Sequence, residues 1–344
     1  MSKATSAPNK LRSPTRRGRL LAALAVGAFA GGAAWVASHR PGFSIPDFHT
    51  WWTAARALLD GQNPYVAVAK ELGPGFAFFS PLPAAVFSVP LAVLRPDVAL
   101  ATYSACSAAL LAFVATRSSY NPLLMFLSAS FAHATVMGQW SMLLTAALFA
   151  PALAFVGAAK PNVGAAIVAT LASWRAALAM LAVAAASLAL MPSWPIEWLT
   201  AVQSSTWHYS PLRTPAALAL LALLRWRRPE ARLVAALSVV PQSPFVYEAM
   251  PLFFVPRSRP EFYSLVIGSD LALAVYALNS GLPHEEYLRL NGLAVGTFMF
   301  LPALVMVLRR PNAGPAPQWL ERRIRWLPTW IRGGADVRSA PANA

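Results

Sequence analysis

Residues 20–38 read LLAALAVGAFAGGAAWVAS, nineteen residues without a charged group. A helix needs about 20 such residues to cross roughly 30 Å of hydrocarbon, so this stretch predicts a membrane-spanning helix. It is too long for the apolar region of a cleaved secretory leader, although the small pair Ala33-Ala34 lies inside it. We read it as a retained first helix. Gly27 and Gly31 form a small-xxx-small pair suited to close packing against a second helix. The rest of the chain repeats the pattern. Of 344 residues, 57% are hydrophobic and only 12% charged, about half the charged share of soluble domains. That composition cannot be buried in one water-soluble core, and it places the chain among all-α polytopic membrane proteins.

Working outward, the first helix is preceded by Lys3, Lys10, Arg12, Arg16, Arg17 and Arg19, which carry +6 with no acid among them. Residues 309–344 hold seven arginines against Glu321 and Asp336, or +5. The two tails therefore supply eleven of the fifteen net positive charges. A nucleic-acid-binding surface would carry its charge on a folded face, so we expect no nucleic-acid partner. Basic flanks on apolar helices mark the cytoplasmic side, and both termini are expected there, in a multi-pass protein of the plasma (inner) membrane. Residues 1–19 are then a cytoplasmic tail, 20–308 a single transmembrane domain, and 39–80 the first extracytoplasmic loop. Cys106 is the sole cysteine, so an intrachain disulfide and a thiolate metal cluster are excluded.

Further apolar runs follow at 81–94, 98–116, 122–137, 141–159, 162–173, 176–191, 213–224, 232–243, 246–256, 262–278 and 290–308. Proline and glycine break several of them, and we expect ten to twelve spans. Arg225, Arg227, Arg228 and Arg232 anchor one internal loop on the basic side, and Arg257 and Arg259 another. Only 24 residues, 233–256, separate these anchors, with Pro241, Pro244 and Pro251 among them. The stretch must enter and return, placing Ser243-Pro244 and Tyr247-Glu248 deep or near the outer face. Loops 192–212 and 279–289 are expected outside. In the last segment, Leu320, Ile324, Leu327 and Ile331 recur at helical spacing, with Trp319, Trp326, Trp330, Arg322, Arg323 and Arg325 interleaved. This pattern predicts a basic amphipathic helix lying on anionic membrane lipids, shortened at Pro328.

The chain has only five Asp and eight Glu. Asp47 stands out, in SIPDFHTWW at 44–52. After it Phe48, Trp52, Ala55 and Leu59 predict one face of an amphipathic helix, with His49, Thr53, Arg56 and Asp60 elsewhere. Gly61 stops this helix in the left-handed conformation. Asp47 stands where a helix cap belongs, and a carboxylate held at a membrane surface can also act as a general base; one residue can do both. Glu248 and Asp270 lie inside apolar stretches, where acids are costly and face a partner or cavity. Asp-x-Asp, a phosphate-binding glycine loop and His-Glu-x-x-His are all missing, so we expect no metal site and no cofactor.

Asp47-Phe48 followed by Gly61-Gln62-Asn63-Pro64-Tyr65 resembles the first-loop signature of glycosyltransferase family 87. These are polytopic enzymes of GT-C type that use polyprenyl-phosphate sugars. Phe79-Ser80-Pro81-Leu82-Pro83 with Pro90-Leu91, Gly138-Gln139-Trp140-Ser141-Met142-Leu143-Leu144, Lys160-Pro161, and Ser243-Pro244 with Tyr247-Glu248 are similar to later family elements, in the same order. Where the family's late segment often carries a histidine, Ala249 and Met250 stand here. The resemblance implies a GT-C-like transmembrane domain whose first outer loop carries an amphipathic helix. It implies transfer of a mannose-like sugar from a polyprenyl-phosphate donor to a glycolipid or glycan acceptor at the extracytoplasmic face, with Asp47 as base. The donor lipid is a substrate, not a cofactor. Lys160, Arg56, His49 and His208 are then the candidates to receive the phosphate, with Gln139, Tyr247 and Glu248 contacting substrate. Four of these have a plainer role: Lys160 as a helix-end lysine that snorkels, Arg56 in an i,i+4 pair with Asp60, His208 as a membrane-belt residue beside Trp207, and Gln139 as a tie between two helices. Two other functions fit a polytopic chain of this kind, a transporter or flippase of a lipid-linked substrate and a non-catalytic protein derived from a transferase.

Overall fold

The structure is a computed structural model describing residues 13–41, 46–73, 76–207, 209–314, 322–323, 325–326 and 328–333. The regular elements among them are helical. One isolated antiparallel bridge pairs Tyr209 with Gln242. Four helices are long and apolar enough to cross a membrane. They are α1 (Arg16–Ser38), α5 (Pro96–Ala115), α12 (Arg259–Leu278) and the continuous run His284–Leu308. That last run comprises α13 (His284–Val295), a π-helical turn at Gly296–Phe300 and α14 (Leu301–Leu308). A fifth span arises if α9 (Trp174–Leu190) and α10 (Trp194–Ser204), which meet at a 105° bend, count as one. The chain is a helical membrane protein.

The apolar runs behind the expected ten to twelve spans are all helical, but most are too short to cross alone. They form α4 (Leu82–Ala92), α6 (Ala129–Met137), α7 (Ser141–Phe149), α8 (Pro161–Leu171), α11 (Pro229–Val239) and 3-10 helices at Asn121–Leu127, Pro151–Ala159, Pro215–Arg225 and Val246–Phe254. Proline is the physical reason. It opens α8, α11 and three of these four 3-10 helices at their first or second position, where a missing N–H is harmless but a continuing helix before it is not.

The α1 and α5 spans lie antiparallel. Arg19 at the start of α1 donates to the carbonyl of Phe113 near the end of α5 at 2.7 Å. His39 at the end of α1 stands 3.5 Å from Asp97 at the start of α5. Between these ends the expected small-residue seam is present. A Cβ at Gly27 would lie 2.9 Å from both the Ala105 carbonyl oxygen and the Ala109 Cβ, and one at Gly31 would lie 3.0 Å from the Ala105 Cβ. Any larger residue at either position would push the two helices apart.

The two ends of the bundle differ in chemistry. At one end the buried carboxylate of Glu230 accepts from Arg228 at 3.2 Å, Arg257 at 3.0 Å and Arg310 at 3.1 Å. Arg310 also reaches Glu261 at 2.9 Å. Arg225 and Arg228 donate to the backbone carbonyls of Arg310 and Pro311. Arg257 and Glu230 flank the stretch 233–256, so their bond fixes both of its ends on the same side. The stretch leaves as α11 and returns as the 3-10 helix Val246–Phe254, as its anchors require. The short helix Thr329–Arg332 docks here, its Ile331 carbonyl accepting from Trp226 Nε1 at 3.1 Å. Arg322, Arg323, Arg325 and Trp326 are exposed. Trp319, Leu320, Ile324 and Leu327 of the expected amphipathic helix lie outside the described residues.

At the other end lie α2 (Asp47–Leu59), α3 (Pro64–Leu72), α10 and the start of α13. The stretch 192–212 is not simply a loop, because α10 fills its first half. Its exposed Ile196 and Leu199 face away from the protein. Its Glu197 accepts from Asn63 at 2.6 Å, and its Trp198 donates to Phe79 O at 3.0 Å. α10 thus ties the first loop to the mouth of the bundle.

Candidate functional site

The helix α2 begins one residue earlier than a capping Asp47 requires. Pro46 occupies the cap position, with extended backbone, and makes no side-chain capping bond. Asp47 is the first helical residue, and its carboxylate takes its hydrogen bonds from Gln139 and Tyr247. This corrects the capping role expected for Asp47. The buried face of α2 also differs from the expected stripe. Phe48, Trp51, Ala54, Ala55 and Ala57 are buried, with Thr53, whereas Trp52 is half-buried and Leu59 is 52% exposed. Phe48 and Trp51 rest on Tyr103, with ring centroids at 5.4 and 6.1 Å, and Trp51 lies 5.0 Å from the Trp140 ring. Gly61 ends α2 with φ +66°, and Gln62 N–H reaches back to Ala57 O at 2.8 Å, the left-handed stop that the glycine predicts. Asn63 then caps α3 by accepting from Tyr65 N–H at 2.9 Å, ahead of Pro64.

Asp47 Oδ2 accepts a short hydrogen bond from Gln139 Nε2 and stands 3.5 Å from the Tyr247 hydroxyl. Gln139 is placed by the break between α6 and α7. Gly138 takes φ +64°, and Gln139 N–H closes the turn on Ala134 O at 2.8 Å. A Cβ on Gly138 would lie 2.7 Å from both Phe48 Cβ and Leu100 Cδ1. Position 138 therefore requires glycine twice, for its backbone conformation and for the approach of α2.

Lys160 ends the 3-10 helix Pro151–Ala159 and begins α8, a sharp turn whose two arms close on each other at Gly157 and Gly164. Its ammonium forms a short ion pair with Glu248 and lies 5.6 Å from the Tyr247 ring centre. Glu248 is 3% exposed and Tyr247 4%. Five residues expected to act together are thus joined in one network: Asp47, Gln139, Lys160, Tyr247 and Glu248. They come from α2, the α6–α7 break, the Lys-Pro turn and the returning 3-10 helix.

Burial raises the Asp47 carboxyl above its ordinary value, to about 6. Lys160 opposes the rise, Glu248 adds to it, and the bonds from Tyr247 and Gln139 oppose it weakly. A carboxylate poised near neutrality can accept a proton and release it again.

The remaining expected residues stand apart. Arg56 is exposed, donates to Ala92 O at 3.4 Å and lies 5.6 Å from the Trp52 ring, away from the network. It makes no ion pair with Asp60 among the described residues. His49 is half-buried, and burial lowers its pKa while Asp97 opposes the shift; it belongs to the His39–Asp97 neighbourhood. His208 lies outside the described residues. Asp270 accepts from Ala129 N–H at 2.8 Å, beside Ser269, which bonds Ser130; it ties α12 to the start of α6.

One residue escaped the sequence reading. His133, on α6, sets its ring 4.9 Å from Tyr247, 5.9 Å from Phe245 and 5.6 Å from Tyr276. Its Nδ1 is buried and has no hydrogen-bond partner among the described residues. A lone histidine in an apolar helix carries no local signal, yet it stands beside the aromatic residue of the late segment, where Ala249 and Met250 offer no polar group. Among the described residues no three His, Cys, Asp or Glu side chains gather closely enough to hold a metal ion.

Comparison with family models, with curated proteins and with solved structures gives no match to this chain.

Proposed function

We propose that the chain is an integral membrane glycosyltransferase of GT-C type, with the basic end cytoplasmic and the Asp47 network at the extracytoplasmic face. It moves a mannose-like sugar from a polyprenyl-phosphate donor to a lipid or glycan acceptor. The observation that carries this reading is the convergence of Asp47, Gln139, Lys160, Tyr247 and Glu248, which span 202 residues of sequence, at the end of the bundle opposite the arginine cluster.

In this reading Asp47 accepts the proton of the acceptor hydroxyl as its oxygen bonds to the anomeric carbon. The bond from that carbon to the phosphate oxygen breaks at the same time, and the electron pair leaves on the polyprenyl phosphate. Attack from the face opposite the phosphate inverts the anomeric centre. Gln139 and Tyr247 hold the carboxylate in place. Lys160 is the cation of the network, and it meets the charge that develops on the phosphate, exchanging its bond to Glu248 for one to a phosphate oxygen. Fixed charges aimed at developing charge are the largest lever an active site has. Arg56 is not part of this step.

The test is transfer from synthetic polyprenyl-phosphate mannose to a panel of glycolipids by purified protein in lipid, comparing the native chain with Asp47→Asn. Loss of general-base catalysis predicts a fall of roughly 10²–10⁴-fold in a variant that still folds. Equal transfer by both would remove Asp47 from the chemistry. Donor binding without transfer to any acceptor would favour a carrier of lipid-linked sugars or a decayed enzyme.

A further inference from the structure

A band of aromatic rings leads from the rim of the molecule to the Asp47 network. Trp207, 41% exposed, lies 5.9 Å from Phe245 between ring centres. Phe245 lies 5.5 Å from Tyr247, whose hydroxyl faces Asp47. Tyr276 flanks Phe245 at 5.4 Å, and His133 fills the space between Phe245, Tyr247 and Tyr276. The rings come from four separate places: the segment after α10, the turn before the returning 3-10 helix, the end of α12, and α6.

Two features set this band apart from a core and from a membrane belt. A core cluster is closed, but here Phe245, Tyr276 and His133 are half-buried and Trp207 is open, so exposure falls steadily toward Tyr247. Belt aromatics sit at headgroup level, whereas these rings run inward from Trp207 through Phe245 to Tyr247 and end at a carboxylate. The band also holds polar edges. His133 Nδ1 is buried with no hydrogen-bond partner among the described residues, and His284 closes the outer rim, 4.6 Å from Trp207 and bonded to Thr206 O. Apolar faces with polar edges suit a sugar. Its C–H groups meet the electron-rich ring faces, and its hydroxyls meet imidazole and phenol.

We propose that this band is the acceptor track, built for a carbohydrate acceptor of at least two sugar units. The terminal sugar lies at Tyr247 with one hydroxyl at Asp47, and the preceding sugar lies against Phe245 and Trp207. The inference rests on the transferase reading and adds that the enzyme extends a glycan rather than a bare lipid.

The test uses the full chain in lipid nanodiscs with octyl mono-, di- and trimannosides. Transfer and direct binding, the latter by saturation-transfer NMR, are measured for the native chain, Trp207→Ala and Trp207→Leu, which keeps apolar bulk without a ring. The native chain should favour two sugars over one by about tenfold in kcat/KM, the worth of one aromatic contact. Both variants should lose that preference and the NMR signal of the second sugar. Transfer without preference for length, or equal effects on one- and two-sugar acceptors, would overturn the track and leave Trp207 as a lipid anchor. Length-dependent binding without transfer would keep the track and remove the transferase. Neither binding nor transfer would remove both.

Discussion

Gln139 donates its side-chain amide to the carboxylate of Asp47, joining positions 92 residues apart in the chain. Gln139 is buried and neutral, so it fixes the carboxylate without adding charge, and the protonation state of Asp47 is left to burial, Lys160 and Glu248. In the proposed transferase, a base held at about 6 should give an activity that rises with pH across roughly 5–7 and levels above it. Gln139→Glu places a second negative charge beside the first, and the acid limb of the kcat/KM profile should move to higher pH. A limb that stays in place would separate Gln139 from the titrating group.

The same shift has a consequence for stability. The Asp47 carboxyl sits higher in the folded protein than the ordinary 3.8, so folding favours its protonated form. That contribution is present in full below about 4 and disappears as pH rises through about 6. Asp47→Asn, permanently neutral, should therefore unfold at higher temperature than the native chain at pH 7.5, with the gap closing at pH 4.5. Thermal unfolding in detergent at both values measures it. A variant less stable than native at pH 7.5 would mean that the charge is welcomed in the fold.

Lys160 and Glu248 form an ion pair whose acid side chain is 4% exposed and whose lysine is 20% exposed. Removing one partner leaves the other charge stranded, at a cost of about 3 kcal/mol in buried pairs. Lys160→Met should destabilise strongly, and adding Glu248→Gln should restore much of the loss. On the proposed mechanism transfer activity should not return in the double variant, because Lys160 is the cation assigned to the donor phosphate. A thermal-shift series over the two single variants and the double variant reads the stability half of this cycle, and the transfer assay reads the other.

Gly138 cannot be replaced cheaply. An alanine there must hold φ +64° and displace Phe48 and Leu100 from contacts at 2.7 Å. Gly138→Ala should cost about 2 kcal/mol or more and shift Asp47 with Phe48, lowering kcat more than donor affinity. Gly32, whose Cβ would meet nothing within 4 Å, is the control: Gly32→Ala should be tolerated.

Much of this arrangement can be read from the residues, and the misses have physical causes. The Gly-Gln, Lys-Pro and Tyr-Glu elements are short and lie where the backbone must break, and breaks need particular residues that a sequence displays. The small-residue seam at Gly27 and Gly31 is legible for the same reason. The cap position falls on Pro46 and not on Asp47, because an extended proline can precede the first helical residue as well as an acid can. Leu59 follows helical periodicity yet is exposed at the last position of α2, because which face of a helix is covered depends on its neighbours and not on spacing alone. His133 and the helix α10 were missed because neither contrasts with its apolar surroundings; only tertiary packing distinguishes them. Hydropathy finds apolar runs, but it cannot tell a crossing helix from two short ones broken at a proline.

Glu230 and Arg310 lie 80 residues apart, and during synthesis the acid emerges long before its last partner. Until α14 is complete, Glu230 has at most Arg228 and Arg257 to hold it. Closure of the basic end is therefore a late event, timed by the final span and not by the order in which the helices enter the bilayer. A chain that stops short of residue 310 lacks the arginine that joins Glu230 to Glu261, and its basic end is left unlatched.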